Sequence, residues 1–329
     1  MNFTFLGTSS GVPTQQRNVT ALAIAPKNSK RWYLVDCGEA TQHQLLKTPL
    51  SLIQLQAIMI THIHGDHCYG LPGLLATAGT YGRSEKLVII APAAIQLYVH
   101  AVCQHTTLTL PYPIEFIAVE TLENHYLTKD FAVSRIALSH RVPSYAYKLA
   151  EINVQEKLDT QKLRHTGIQP GPVWGKIQKG ENVILERGQQ LIAKDYYLPK
   201  KHRQVIIGGD NDQPELLMGA ASTADLLIHE ATFTEAVAAE VGPGPQHSSA
   251  ASVARFAEKA QLKNLILTHF SQRYHRPHGT SIEAIRIEAQ KFYLGCLHLA
   301  NDLDVFELSS EGQLILLNSA ASAIPSLAD

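Results

Sequence analysis

The sequence predicts an α/β fold, with strands and helices alternating and several strands stopping at one rim on side chains able to bind metal. Three observations predict it. Short apolar runs recur along the chain, separated by stretches with helical spacing, which is the pattern of a layered α/β domain. The stretch Thr61-His62-Ile63-His64-Gly65-Asp66-His67 directly follows the apolar run Leu55–Ile60, so a buried strand delivers three histidines and an aspartate to its end. Three further ligand-type residues, His140, Asp210 and His269, stand where other strands stop. Imidazole nitrogens joined by carboxylates suit zinc or another borderline divalent ion better than calcium or magnesium.

In chain order, residues 2–6 alternate as a strand, and a loop follows over Gly7–Pro13. Thr20–Ala25 and Arg31–Val35 read as strands around the turn Pro26–Lys30, and a helical pattern carrying Leu45 and Leu46 follows Asp36-Cys37-Gly38-Glu39. The motif strand is placed at 57–61. In it, histidines at i and i+2 can project to one side of extended backbone, and Gly65 allows the turn that returns Asp66 and His67. Beyond it come a helix over Leu71–Tyr81, a strand over Leu87–Ala91 and a helix over Ala93–Cys103. Strands at Glu115–Val119 and Phe131–Leu138 follow, the second running into Ser139-His140. The alternation resumes with strand Gln204–Ile207, helix Pro214–Ala221, strand Leu226–His229, helix Ser249–Ala260, strand Asn264–Thr268 and helix Ser281–Gln290.

Between these halves lies an interruption at about 151–201, with nine Lys/Arg against six Asp/Glu. It holds an amphipathic pattern over Gln155–Arg164 and then Gly167-Ile168-Gln169-Pro170-Gly171-Pro172-Val173-Trp174-Gly175-Lys176. So many prolines and glycines together rule out an ordinary helix or central strand there. The segment reads as a surface insertion, an arm for a substrate larger than the active site, with a dimer contact or plain linker as alternatives. About 319–329 is expected to be a disordered tail.

The 329 residues are 45% hydrophobic and 17% charged, enough for a large buried core, and the net charge of −1 means that nucleic-acid binding must come from a local basic patch. Four cysteines without a CxxC pair do not form a disulfide framework and suit a reducing cytosol. Cys68 reads as a small buried residue. The N-terminus lacks a basic leader and no apolar run approaches the ~18 residues of a membrane span, so a soluble, cytoplasmic protein without a membrane partner is expected.

These features together resemble the metallo-β-lactamase superfamily and, within it, ribonuclease Z in its short bacterial form. The resemblance is carried by Phe5–Thr14 with Arg17-Asn18, Asp36–Leu45, Ile60–His67 with Gly70–Leu74, His140, Gly167–Lys176 and Gly208-Gly209-Asp210. It continues in His229-Glu230-Ala231-Thr232, His247-Ser248 and Leu267–Tyr274. The histidine motif alone specifies only the superfamily; the other blocks narrow it.

The resemblance implies an αββα sandwich with an inserted projecting arm, a homodimer, two Zn2+ per subunit (Mn2+ or Co2+ in their place), and precursor tRNA as substrate. It implies that His62, His64 and His140 hold one ion, that Asp66, His67 and His269 hold the other, and that Asp210 bridges them. It further implies His247 as general acid, oriented or kept protonated by Glu230, with Asp66 orienting the attacking water or accepting its proton. Gly171, Lys176 and Lys179 of the arm are expected to meet the tRNA, and Arg17, Arg273 and Tyr274 to contact phosphate near the site. Two positions depart from the family pattern. Gln15 stands where a lysine is common, in a loop associated with sensing the tRNA 3′ end, and Asn211 follows Asp210 where threonine is usual. The implied activity is endonucleolytic removal of the tRNA 3′ trailer. A broader phosphodiesterase or 3′ exoribonuclease of RNase BN type, a thioester or lactone hydrolase, and an inactive RNA-binding protein are the alternatives.

Overall fold

A computed structural model describes residues 1–154, 156–185, 188–198, 201–275 and 280–318; the expected tail at 319–329 lies outside the described residues. Two compact units are present, Met1–Ala150 with the chain from Arg203 onward, and Glu151–His202.

Two mixed sheets build the larger unit. Among the described residues one has eight strands, in spatial order Leu314–Asn318, Val305–Leu308, Asn2–Gly7, Ala21–Ala25, Trp32–Val35, Leu55–Met59, Leu87–Ala91 and Ile114–Ala118. The other has seven, in the order Cys296–Leu299, Asn264–Thr268, Leu226–Glu230, Gln204–Ile207, Ser144–Glu151, Phe131–Leu138 and Tyr126–Leu127. Their central strands read as unbroken apolar runs because both faces are covered. Tyr33 and Val35 enter one core while Trp32 and Leu34 enter another, and Val205 and Ile207 part from Ile206 in the same way.

The core between the sheets joins Phe3, Tyr33 and Met59 of one to Phe131, Tyr147 and Ile228 of the other. Helices Leu71–Thr80 and Ala93–His105 cover one outer face through Leu74, Leu75 and Val99, and Ala250–Lys259 and Glu283–Gln290 cover the other through Val253, Phe256 and Ile285. This is the expected αββα sandwich. The Tyr147 hydroxyl lies 2.7 Å from the Ile60 carbonyl and 3.0 Å from that of Ile90, a link between sheets at the root of the histidine motif. One such bond contributes about 1 kcal/mol net.

The motif strand is Leu55–Met59, ending two residues before the expected limit, so that Ile60 and Thr61 already belong to the rim. The strands Ser144–Glu151, Cys296–Leu299, Val305–Leu308 and Leu314–Asn318 and the helix Glu235–Val241 are additions that the periodicity did not reveal.

The smaller unit packs Leu163, Ile168, Ile177, Val183, Leu191, Ala193 and Tyr196 around a two-stranded hairpin, Val183–Ile184 with Gln190–Leu191. Its first helix is Thr160–His165, shorter than the pattern suggested, because the Asp159 side chain caps it by accepting the Lys162 amide at 2.8 Å. The expectation against a helix near Pro172 is overturned, since Pro172–Gln178 is helical. Proline stands at its first turn, where the missing N–H would have had no partner, and the helix runs away from it.

Candidate dinuclear metal centre

Most candidate ligands lie just beyond the end of a strand. His62 and His64 follow Leu55–Met59, His140 follows Phe131–Leu138, Asp210 follows Gln204–Ile207, and His269 follows Asn264–Thr268, while Asp36, after Trp32–Val35, stands behind them. Gly65 opens the short helix Gly65–Cys68, which turns Asp66 and His67 back to the same rim. Gly209 has to be glycine, because a Cβ there would sit 2.7 Å from Thr61 Cβ and 2.8 Å from Ser144 Oγ. The Asp210 loop can pass the motif strand only without a side chain.

The side chains converge in two groups with Asp210 between them. His62, His64, His140 and Asp210 place one ligand atom each within 4.8 Å of one another, Asp66, His67 and His269 do the same, and Asp210, His247 and His269 form a third such set across the two. Asp210 Oδ2 lies 3.6 Å from His62 Nε2 and 3.7 Å from His140 Nε2; its Oδ1 lies 3.4 Å from His67 Nε2 and 3.3 Å from His269 Nε2. Within the first group His64 Nδ1 is 3.1 Å from both His62 Nε2 and His140 Nε2. In the second, Asp66 Oδ2 is 3.5 Å from His67 Nε2 and 3.4 Å from His269 Nε2. A tetrahedral ion with bonds of about 2.0–2.1 Å holds its ligand atoms about 3.3 Å apart. The spacing and the donor chemistry fit a divalent metal.

Outer partners aim these ligands. Asp36 Oδ2 is 2.7 Å from His67 Nδ1, and Asp36 is itself fixed by the Thr61 amide at 2.8 Å and the Thr61 hydroxyl at 2.9 Å. His62 Nδ1 meets the Thr61 hydroxyl at 3.0 Å, His140 Nδ1 the Gln246 carbonyl at 2.9 Å, and His269 Nδ1 the Thr232 hydroxyl at 2.9 Å. Each of these four rings is left with Nε2 facing the centre. The Gly11 amide donates to Asp66 Oδ2 at 2.7 Å. Asp36 and His269 take left-handed backbone, φ 59° and 60°, a strain kept at positions that surrounding contacts over-determine.

Burial drives the His62 and His140 imidazoles toward the neutral form, and for His62 the neighbouring His67 adds to this. Burial opposes charge on Asp210 and Asp66 as well, yet the surrounding histidines hold both carboxyls well below the usual carboxylate range. His67 goes the other way, its pKa raised despite burial by Asp210, Asp66 and Asp36. The field in the cluster is that of a cation site.

His247 borders this centre, its Nδ1 3.8 Å from Asp210 Oδ2 and 3.0 Å from Glu230 Oε1. Burial lowers its pKa, but the Glu230 carboxylate outweighs this and raises it to about 9. Glu230 is buried. Its Oε1 accepts the Asn211 amide at 2.9 Å, and its Oε2 accepts the Thr232 hydroxyl, which stands beside His269. Asn211 keeps this network closed, as its own Oδ1 accepts the Ser139 and Gln213 amides at 3.2 and 3.1 Å.

Two expected phosphate contacts are corrected. Arg17 is buried, with its guanidinium donating to Thr8 Oγ1 at 2.6 Å, Ala300 O at 2.7 Å and Asn301 Oδ1 at 2.6 Å. Tyr274 is buried too, its hydroxyl accepting the Thr234 amide at 2.6 Å. Both hold loops together. Arg273 is exposed, as are Gly171, Lys176 and Lys179 in the smaller unit. Arg141, exposed beside His140, lines the roughly 430 Å³ cavity at the mouth of the centre together with His64, Asp66 and Asp210, and the sequence reading passed over it. Asp36 and Asn211 were visible only as motif neighbours, without a role.

Fold and site together define a metallo-β-lactamase-fold protein with a divalent-metal centre, and the comparisons with known proteins agree. A family profile described as anti-Pycsar protein Apyc1 matches residues 1–146. The YhfI metallo-β-lactamase fold protein of Bacillus subtilis matches with a TM-score of 0.64 at 19% identity, covering 92% of this chain and 98% of its own. The short form of human tRNase Z matches with a TM-score of 0.64 at 25% identity, over 94% of this chain and all of its own. Ribonuclease Z of Marinobacter nauticus is 50% identical over 317 residues, 95% of this chain and 98% of that protein, and ribonuclease Z of Brevibacillus brevis is 37% identical over 314 residues, 94% and 98%. The chain belongs to the ribonuclease Z family. No helix among the described residues is long and apolar enough to cross a membrane.

Proposed function

We propose that this chain is a metal-dependent endoribonuclease that removes the 3′ trailer of precursor tRNA, leaving a 3′-hydroxyl on the tRNA and a 5′-phosphate on the trailer. The observation that supports the reading is Asp210 with Oδ2 toward His62 and His140 and Oδ1 toward His67 and His269, and the His247–Glu230 pair alongside. His62, His64 and His140 would hold one ion, Asp66, His67 and His269 the other, and Asp210 would bridge; Zn2+ suits the donors, with Mn2+ or Co2+ also compatible. When bound, metal there would supply positive charge for the scissile phosphate and would lower the pKa of a bound water to about 7.

The chain's own groups do the rest. Asp66, held by the Gly11 amide, orients the attacking water. His247 has Nδ1 engaged by Glu230, so Nε2 is the atom that gives a proton to the leaving 3′-oxygen as the P–O3′ bond breaks. Glu230 keeps that imidazole charged and aimed. The exposed lysines of the smaller unit, Lys176 and Lys179 beyond Gly171, would track tRNA phosphates, and Arg273 those near the centre. A cytosolic homodimer fits this reading: the described cysteines are free, and dimerisation follows the family resemblance.

The test is incubation of metal-loaded protein with end-labelled precursor tRNAs with and without an encoded CCA. A single cut after the discriminator nucleotide of the CCA-less transcript is expected. Progressive shortening would replace it with the RNase BN type of activity, and no cleavage alongside hydrolysis of a small phosphodiester or thioester would overturn it.

A further inference from the structure

The cavity of about 430 Å³ at the mouth of the centre is lined by three carboxylates, Glu39, Asp66 and Asp210, and by a single Arg or Lys, Arg141. His64, Asp66 and Asp210 are candidate ligands, so a phosphate between them and solvent lies inside this cavity. Other arginines of the larger unit are already engaged. Arg31 donates to Asp130 at 2.9 and 2.6 Å, Arg255 donates to Glu235 at 2.9 and 3.1 Å, and Arg83 and Arg135 donate to backbone carbonyls. Arg141 is exposed, and among the described residues its side chain has no hydrogen-bond acceptor and no ion-pair partner. Its backbone is held on both sides. The Ser139 amide donates to Asn211 Oδ1 at 3.2 Å, the His140 ring meets the Gln246 carbonyl at 2.9 Å, and the Tyr145 amide donates to the Thr61 carbonyl at 3.1 Å. Pro143 stiffens the stretch between them by fixing its own φ. A pinned loop thus presents an unpaired cation one residue beyond a candidate ligand.

We propose that Arg141 is the phosphate clamp of this centre, a catalytic residue whose guanidinium donates to the non-bridging oxygens of the phosphodiester being cut. The assignment rests on the ribonuclease reading above, and within it only on phosphodiester chemistry. Glu39, Asp66 and Asp210 repel an anionic substrate, and a fixed cation in the same wall offsets that repulsion where the phosphate must enter. Guanidinium suits the task better than ammonium, because its planar fork matches two phosphate oxygens at once and it always carries its charge. In phosphoryl transfer the protein contributes chiefly by positioning the phosphate and stabilising charge on its oxygens, and a cation already in place does both. Arg273 is exposed too, but it is not among the walls of this cavity.

The experiment measures kcat and KM of metal-loaded wild type, Arg141→Ala and Arg141→Lys on a small phosphodiester and on precursor tRNA, with metal content and metal affinity determined for each. Arg141→Ala should lose roughly a hundredfold in kcat/KM on both substrates, the scale of removing one donor to the reacting oxygens. Its melting temperature, metal content and metal affinity should stay at wild-type values, as the truncated side chain is exposed. Arg141→Lys keeps the charge without the fork and should recover roughly fivefold over alanine. A loss confined to tRNA would place Arg141 on a flanking phosphate and overturn the clamp. A loss that tracks lost metal would make the residue a support for His140 and overturn it as well, as would a lysine variant no better than alanine. Cleavage of the small phosphodiester without cleavage of tRNA would refute the endoribonuclease reading alone, and the same comparisons on the diester then decide the clamp. Hydrolysis of neither substrate would overturn both.

Discussion

Around Asp210 the polar side chains are buried or half-buried, and the Nδ1 atoms of His62, His67, His140 and His269 each have a protein partner, whereas among the described residues of 151–202 the lysines stand in solvent over a core of seven buried apolar side chains. The first region is a network in which one carboxylate, Asp210, stands between two groups of candidate ligands joined by shared hydrogen-bond partners. The second is a small scaffold carrying charges that work one at a time. Chemistry should therefore fail abruptly when the first is altered, and tRNA binding should weaken in steps when the second is.

The largest expected effect is that of Asp210→Ala, which removes the shared ligand. Hydrolysis of tRNA and of a small phosphodiester should both fall at least a thousandfold, with metal content by elemental analysis reduced; retained activity at full metal content would break the bridging assignment. Removing the metal with a chelator should abolish both activities and lower the melting temperature, since ligand-free protein loses about 4 kcal/mol relative to a state with metal at a thousand times its Kd. Replacing residues 152–201 by a short linker should leave small-phosphodiester hydrolysis within about threefold of wild type and reduce tRNA kcat/KM at least a hundredfold. Equal loss on both substrates would erase the distinction between the two regions. Asp36→Asn, which spares the fold but loosens His67, should weaken metal affinity about 10–100-fold, read by competition with a chromophoric chelator. Smallest is the Lys176→Ala/Lys179→Ala pair, expected to raise KM for tRNA several-fold at unchanged kcat and to reduce the magnitude of the salt slope of binding by up to about 2.

The candidate centre was legible because the residues that converge there are histidines and aspartates near the ends of apolar runs, a pattern local enough to read in one dimension. His62, His64 and His67 lie within six residues, and His140, Asp210 and His269 each follow a strand. Arg17 shows the limit. The family resemblance suggested a phosphate contact for its basic side chain, but the carbonyl of Ala300 and the side-chain Oδ1 of Asn301, nearly three hundred residues away, accept from the guanidinium. The helix Pro172–Gln178 failed for the opposite reason, as composition was weighed without asking which position of the helix proline would occupy.

The sequence alone determined the layered α/β class, the site of the interruption and the ligand types, because periodicity, turn residues and side-chain chemistry are properties of neighbouring positions. Only the tertiary structure decided that Asp210 faces two ligand groups, that Asp36 aims His67, that Tyr274 is spent on Thr234, and that Phe233 and Asp212 enclose a cavity beside His247. Those are contacts between segments far apart in the chain, created when two sheets close on one core, and no local pattern encodes which side chains that closure brings within hydrogen-bond reach.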